Sequence, residues 1–118
     1  MAPRSQLEIA TASVERLVKE EASYHRELQQ QTERIQKLES QEAGEDENRE
    51  YMLKQERLAL EETKKVLPSL KQKIDQAVAN LESLLVEEGK KGPESNVDQI
   101  TAGKEAIAKA KTAKREIA

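Results

Sequence analysis

The sequence predicts an all-α chain: an elongated three-helix bundle, up-down-up, with a proline kink in the second helix. Three observations carry that prediction. Ala, Glu, Lys, Leu, Arg and Gln dominate the 118 residues and aromatic residues make up only 2%, a composition of long helices. Apolar residues return at heptad steps and do not alternate as they would in strands. Two short breaks, "QEAGEDEN" and "EEGKKGPES", cut the chain into three and leave no stretch for a sheet. The length suits one domain over residues 1–118, with helices at about 5–42, 46–88 and 95–117.

The first helix shows the pattern most clearly. One series runs Leu7, Val14, Glu21, Leu28, Ile35, and a second, three residues on, runs Ala10, Leu17, Tyr24, Gln31, Leu38. These are the two seam positions of a heptad, held over five repeats. Ser5 and Glu8 have capping-box spacing at its start, and Gly44 is the expected C-terminal cap. About 38 residues at ~1.5 Å each would make a rod of roughly 55–60 Å. Glu21 and Gln31 occupy seam positions where apolar residues are the rule, a pattern that fits control of register. Tyr24 reads as core, and His25, beside a seam residue, as a half-exposed surface histidine.

The second helix repeats the logic through Leu53, Leu60, Leu67, Ile74 and Leu81, with Leu70, Ala77 and Leu84 three residues on. Pro68 sits inside it. A proline removes one N–H and clashes with the carbonyl four residues back, at a usual cost of ~3 kcal/mol or more. Yet Leu67 and Leu70 flank it in unbroken register, where a turn would have shifted the phase. The helix is therefore expected to run through Pro68, bent, with the freed carbonyl of Lys64 towards water.

Gly89 is the expected cap of the second helix, Gly92-Pro93 a hard break, and Ser95 with Asp98 a second capping box. The third helix has a thinner stripe of Val97, Ile100, Ile107, Ala110 and Ile117, which Gly103 and Lys114 interrupt. Glu-to-Lys pairs four residues apart (Glu15–Lys19, Glu33–Lys37, Glu50–Lys54, Glu61–Lys65, Glu105–Lys109) mark solvated faces, each worth only ~0.2–0.5 kcal/mol.

Composition also excludes functions. One histidine and no cysteine leave no His-rich metal site and no thiolate for redox or zinc chemistry. No GxxxxGK[ST] or GxGxxG motif is present to cradle a phosphate, and "GEDENRE" lacks the alternating acids of a calcium loop. The chain reads as no enzyme, with no cofactor and no metal. No stretch approaches a membrane span, and "MAPRSQLEIA" lacks an apolar signal core, so a cytoplasmic protein is expected. Net charge is −3, but residues 90–118 hold 7 basic and 4 acidic side chains. That basic third is too mild and too interleaved with alanine for a nucleic-acid arm. What remains is surface for binding a protein. Tyr51, on the outward side by the heptad count, is a candidate anchor.

"VERLVKEEASYHRE" in the first helix, then "DENREYMLKQ" and "EETKKVLPSL" in the second, resembles the tubulin-binding cofactor A family, small three-helix chaperones of β-tubulin. The resemblance covers roughly residues 10–88, including the acidic loop and the mid-helix proline; "VDQITAGKEAIAKAK" fits in length and helicity alone. It implies a cytoplasmic, cytoskeleton-associated protein that captures β-tubulin released by the cytosolic chaperonin. It would hold that subunit for assembly of the αβ-heterodimer, without nucleotide or catalysis. The matching positions that become candidate contacts are Arg16, Lys19, Glu20 and Glu27 on the first helix. On the second they are Asn48, Tyr51, Lys54, Gln55, Glu61 and Pro68. The family holds both monomers and dimers, so self-association stays open. A coiled-coil or spectrin-like adaptor would share the periodicity but recur in tandem or in longer heptads. A prefoldin-like holdase needs hairpin strands that "EAGEDEN" cannot form.

Overall fold

In the computed structural model, which describes residues 3–41 and 48–117, the first helix starts at the capping box read from the sequence. The Glu8 N–H donates to Ser5 Oγ and the Ser5 N–H donates to Glu8 Oε1, both at 3.1 Å. Helix α1 spans Gln6–Ser40, α2 spans Asn48–Gly89 and α3 spans Val97–Ile117. A short 3₁₀ turn, Gly92–Glu94, lies between the last two, and the described residues contain no strand.

Each boundary has a local cause. Gly44, the expected cap of α1, lies outside the described residues. The last turn of α1 receives donors from α2: Arg49 donates from Nε to the Leu38 carbonyl at 2.8 Å and from Nη2 to the Glu39 carbonyl at 3.2 Å. A guanidinium there satisfies orphan carbonyls and meets the negative end of the helix dipole. At the other break, Gly89 is not the left-handed residue. Gly92 is, with φ +62°, and Gly89 is simply the last residue of α2. The cap of α3 is also displaced by one residue. Asn96, not Ser95, accepts the Gln99 N–H at 3.1 Å through Oδ1, and its carbonyl accepts the Ile100 N–H. Ser95 Oγ donates to the Gly92 carbonyl instead.

Helix α2 is continuous through Pro68. Leu67 and Leu70 on either side are buried and Pro68 is exposed, so the proline costs one backbone bond on the wet side only.

The chain divides into two compact units, to both of which α1 and α2 contribute. The first comprises residues 1–20 and 70–118. Its core takes Leu7, Ala10, Val14 and Leu17 from α1, Leu70, Ile74 and Leu81 from α2, and Ala106, Ile107 and Ala110 from α3. Directions follow from the contacts. Ser5 Oγ donates to Gln99 Oε1 at 2.9 Å, so α1 and α3 run together, while Lys114 meets Asp75 at 3.6 Å and Gly103 faces Leu85, so α2 runs against α3. Gly103 does not interrupt the stripe of α3. It is a buried part of it, where a Cβ would meet Leu85 Cδ2 at 3.0 Å and Leu81 Cδ1 at 3.4 Å. Val97, counted in the stripe, is 68% exposed.

The second unit, Glu21–Ser69, is an antiparallel pair made of the second half of α1 and the first half of α2. Ile35, Leu38 and Leu53 form its apolar cluster, with Leu60 packed against them. Arg34–Glu56 at 3.3 Å and Arg57–Glu39 at 3.1 Å bridge the two helices. None of the five expected Glu-to-Lys pairs closes among the described residues; Glu61, for example, takes Lys64 at 3.7 Å rather than Lys65. The polar seam residues are buried here, Glu21 to 5% exposure and Gln31 to 3%. Gln31 Oε1 and His25 Nε2 have no hydrogen-bond partner among the described residues.

Candidate functional site

A heptad-patterned helix buries one stripe, and whatever apolar surface lies off that stripe must stay wet or find a partner. In the second unit, α2 buries Leu53, Thr63 and Leu67 inward. Opposite them lie Tyr51 at 64% exposure and Leu58 at 52%, seven residues apart and so nearly one above the other. Val66 and Met52, also exposed, lie on one flank of that line. Lys54 and Lys65 lie on the other, exposed as well.

All six α2 positions singled out from the sequence, Asn48, Tyr51, Lys54, Gln55, Glu61 and Pro68, are exposed. At ~100° per residue they fall within an arc of about 160°, centred away from the buried stripe. The six therefore share the outward side of α2, spread over about 30 Å of its length, with Tyr51 near the middle of the arc. Sequence reasoning missed Leu58 and Val66. Their signal was available: both are large aliphatics off the seam, Val66 one residue before Leu67 and Leu58 two before Leu60, where a solvated face has no use for them.

The four α1 positions are exposed too, and they do not form one set. Arg16, Lys19 and Glu20 belong to the first unit and Glu27 to the second. Arg16 edges a shallow hollow with Ile9 and Ser13. Lys19 lines a recess of 120 Å³ between α1 and α3 with Glu15, Val18, Ala106 and Lys109. A wider, open groove of 370 Å³ lies nearer the start of both helices, its walls including Thr11, Ala12 and Ala102 and its rim Glu8, Glu15 and Asp98.

The described residues hold no cluster of His, Cys, Asp or Glu able to grip a metal ion. Among the described residues one carboxyl is shifted: the Asn96 backbone N–H, and after it Lys91, hold Glu88 below the ordinary glutamate range. That group lies in the last turn of α2, from which its oxygens reach the Asn96 N–H at 3.1 Å and Lys91 Nζ at 3.2 Å. It is a structural tie. No described helix is long and apolar enough to cross a membrane.

Comparison with known proteins adds an independent line. The family model described as tubulin binding cofactor A matches residues 2–107. Tubulin-specific chaperone A of Oryctolagus cuniculus is 32% identical over 83 residues, 70% of this chain and 72% of its own length. The Saccharomyces cerevisiae protein of the same name is 36% identical over 85 residues, 72% of this chain and 76% of its own. The crystal structure of tubulin folding cofactor A from Arabidopsis thaliana superposes with a TM-score of 0.73 at 27% identity, covering 90% of this chain and 92% of that one.

Proposed function

The chain belongs to the tubulin binding cofactor A family, and from that premise we propose that it binds β-tubulin released by the cytosolic chaperonin and holds it for assembly of the αβ-heterodimer. Such work is done in the cytoplasm, by binding alone, with no nucleotide and no bond made or broken. The observation that carries this reading onto residues is the outward line of α2, Tyr51 and Leu58 with Val66 beside it, set among Lys54, Gln55 and Glu61.

Its physics suits a transient hold. Large exposed apolar side chains supply most of the affinity when a partner covers them, and tyrosine is favoured because it carries much area on few rotatable bonds. The lysines and glutamates around them contribute mainly to encounter rate and specificity, which makes the complex sensitive to salt. A patch of this kind lets go when a competing partner takes the client, so no chemical step is required for release.

The test is co-purification of the chain from a eukaryotic lysate, with the bound fraction probed for α- and β-tubulin, followed by binding to isolated β-tubulin. The expected result is a 1:1 complex with β-tubulin that weakens as salt rises. Tyr51→Ala and Leu58→Ala should each weaken it about tenfold, the effect of losing one anchor. Both side chains are more than half exposed, so helicity and melting temperature should stay nearly constant. Capture of neither tubulin would refute the function, and full affinity in both variants would refute the face.

A further inference from the structure

We infer that α3 carries a second, separate docking surface: a cationic flank formed by Lys104, Lys111 and Arg115 that receives an extended acidic polypeptide segment. The inference stands on α3 alone and does not depend on the face of α2.

The three cations are spaced seven and four residues apart, so they share one flank of the helix, and all three are exposed. Their charges are not neutralised. Lys114 is the one cation of α3 with an ion-pair partner among the described residues, Asp75 of α2. Neither Asp75 nor Glu82, the acids of α2 alongside, reaches Lys104, Lys111 or Arg115 within ion-pair distance. The acids of α3 itself are set apart. Asp98, Glu105 and Glu116 repeat at seven and eleven residues and so form their own line, about a third of a turn round the helix. Lys109 lies on that acidic line, so α3 has one flank of mixed charge and one, that of Lys104, Lys111 and Arg115, that carries cations alone.

Shape selects the class of partner. Between the cations the flank carries Ala108, exposed, with Thr101 and Thr112 beside it, so the floor is small and flat and offers no apolar pocket. A helix docking there would bury little apolar area and gain little from it. An extended chain needs no such pocket. Lys104 to Arg115 spans roughly 16 Å along the helix, about five residues of extended chain at ~3.4 Å each. A run of consecutive Glu or Asp therefore places a carboxylate near every cation in any register. The net charge of the whole chain is −3, so attraction of such a peptide has to come from a local run of cations, which this flank supplies.

Fluorescence anisotropy of a labelled octaglutamate peptide with the full chain at low salt tests the assignment. The expected result is saturable binding that weakens steeply on raising salt, since the contacts are exposed ion pairs. The triple variant Lys104→Ala/Lys111→Ala/Arg115→Ala should weaken it about tenfold, three surface pairs' worth. Lys104→Arg/Lys111→Arg should keep it, and Lys54→Ala/Lys65→Ala on α2 should leave it within about twofold. Equal binding by the triple variant, or no binding of octaglutamate, overturns the proposal. So does binding of duplex DNA or phosphatidylserine vesicles in place of the peptide, which would make the flank a site for another polyanion. Circular dichroism of the triple variant should match the parent, because alanine at exposed helical positions favours the helix.

Discussion

Gln31 is 3% exposed and its Oε1 has no hydrogen-bond partner among the described residues, so Gln31→Leu should stabilise the chain. A buried acceptor without a partner costs about 1–3 kcal/mol relative to the same group in water. Leucine removes that acceptor, keeps a similar volume and adds apolar surface to a seam that continues to Ile35 and Leu38, in the cluster with Leu53. The net gain is therefore about 1–3 kcal/mol. A chain of 118 residues unfolds with an entropy of roughly 0.25 kcal/mol/K, which converts the gain to a rise of about 4–12 °C in melting temperature. Differential scanning calorimetry reads the rise. Hydrogen exchange should place it in the second unit, residues 21–69, since that is where Gln31 packs. Gln31→Glu in the same place should move the temperature down, because an unpaired buried charge costs more than an unpaired amide. An unchanged or lower melting temperature for Gln31→Leu would refute the reasoning and mean that the amide is satisfied and the seam depends on it. Should the leucine variant melt higher but elute as a mixture of oligomers, the amide acts in register and partner choice.

Other substitutions probe other elements. Gly103→Leu should destabilise by about 1–3 kcal/mol, seen as a lower melting temperature, because even a Cβ there comes within 3.0 Å of Leu85. Gly103→Ala sets helix propensity of about 1 kcal/mol against that one tight contact with a flexible side-chain end, and should be close to neutral. The Glu88 carboxyl titrates lower in the folded chain than when unfolded, so its contribution is present above the unfolded value and fades as pH falls through the folded one. Amides at the start of α3 should accordingly exchange faster in acid, and Glu88→Gln should lose that pH dependence. Pro68→Ala restores an N–H and removes a ring clash, so it should hold or raise the melting temperature. If a bend at Pro68 shapes the client-binding face, the same variant binds β-tubulin more weakly; equal affinity would make the proline a tolerated break.

Much of this fold is written in the chain because it is periodic. Burial of Leu7, Val14, Leu17, Ile35 and Leu38 on α1, and of Leu53, Leu67, Ile74 and Leu81 on α2, falls on the heptad steps of the sequence. A helix fixes which residues share a face from spacing alone, so seam, phase through Pro68 and the Ser5–Glu8 cap are local properties. The outward position of Tyr51 is legible for the same reason.

What spacing cannot supply is the identity of the neighbour across an interface. Gly103 reads as a gap in a stripe until Leu81 and Leu85 of α2 arrive against it, and then the missing side chain is what lets two helices approach. Ser95 and Asn96 are equally good caps by type. The choice falls to Asn96 because Glu88, on another helix, takes its N–H. Arg49 donates to the last turn of α1 from eleven residues beyond Leu38, and Arg34 and Arg57 reach across to Glu56 and Glu39 where the sequence offers only neighbours four apart. Capping, close approach and ion pairing depend on distances between atoms far apart in the chain. Those distances exist only once the helices have packed.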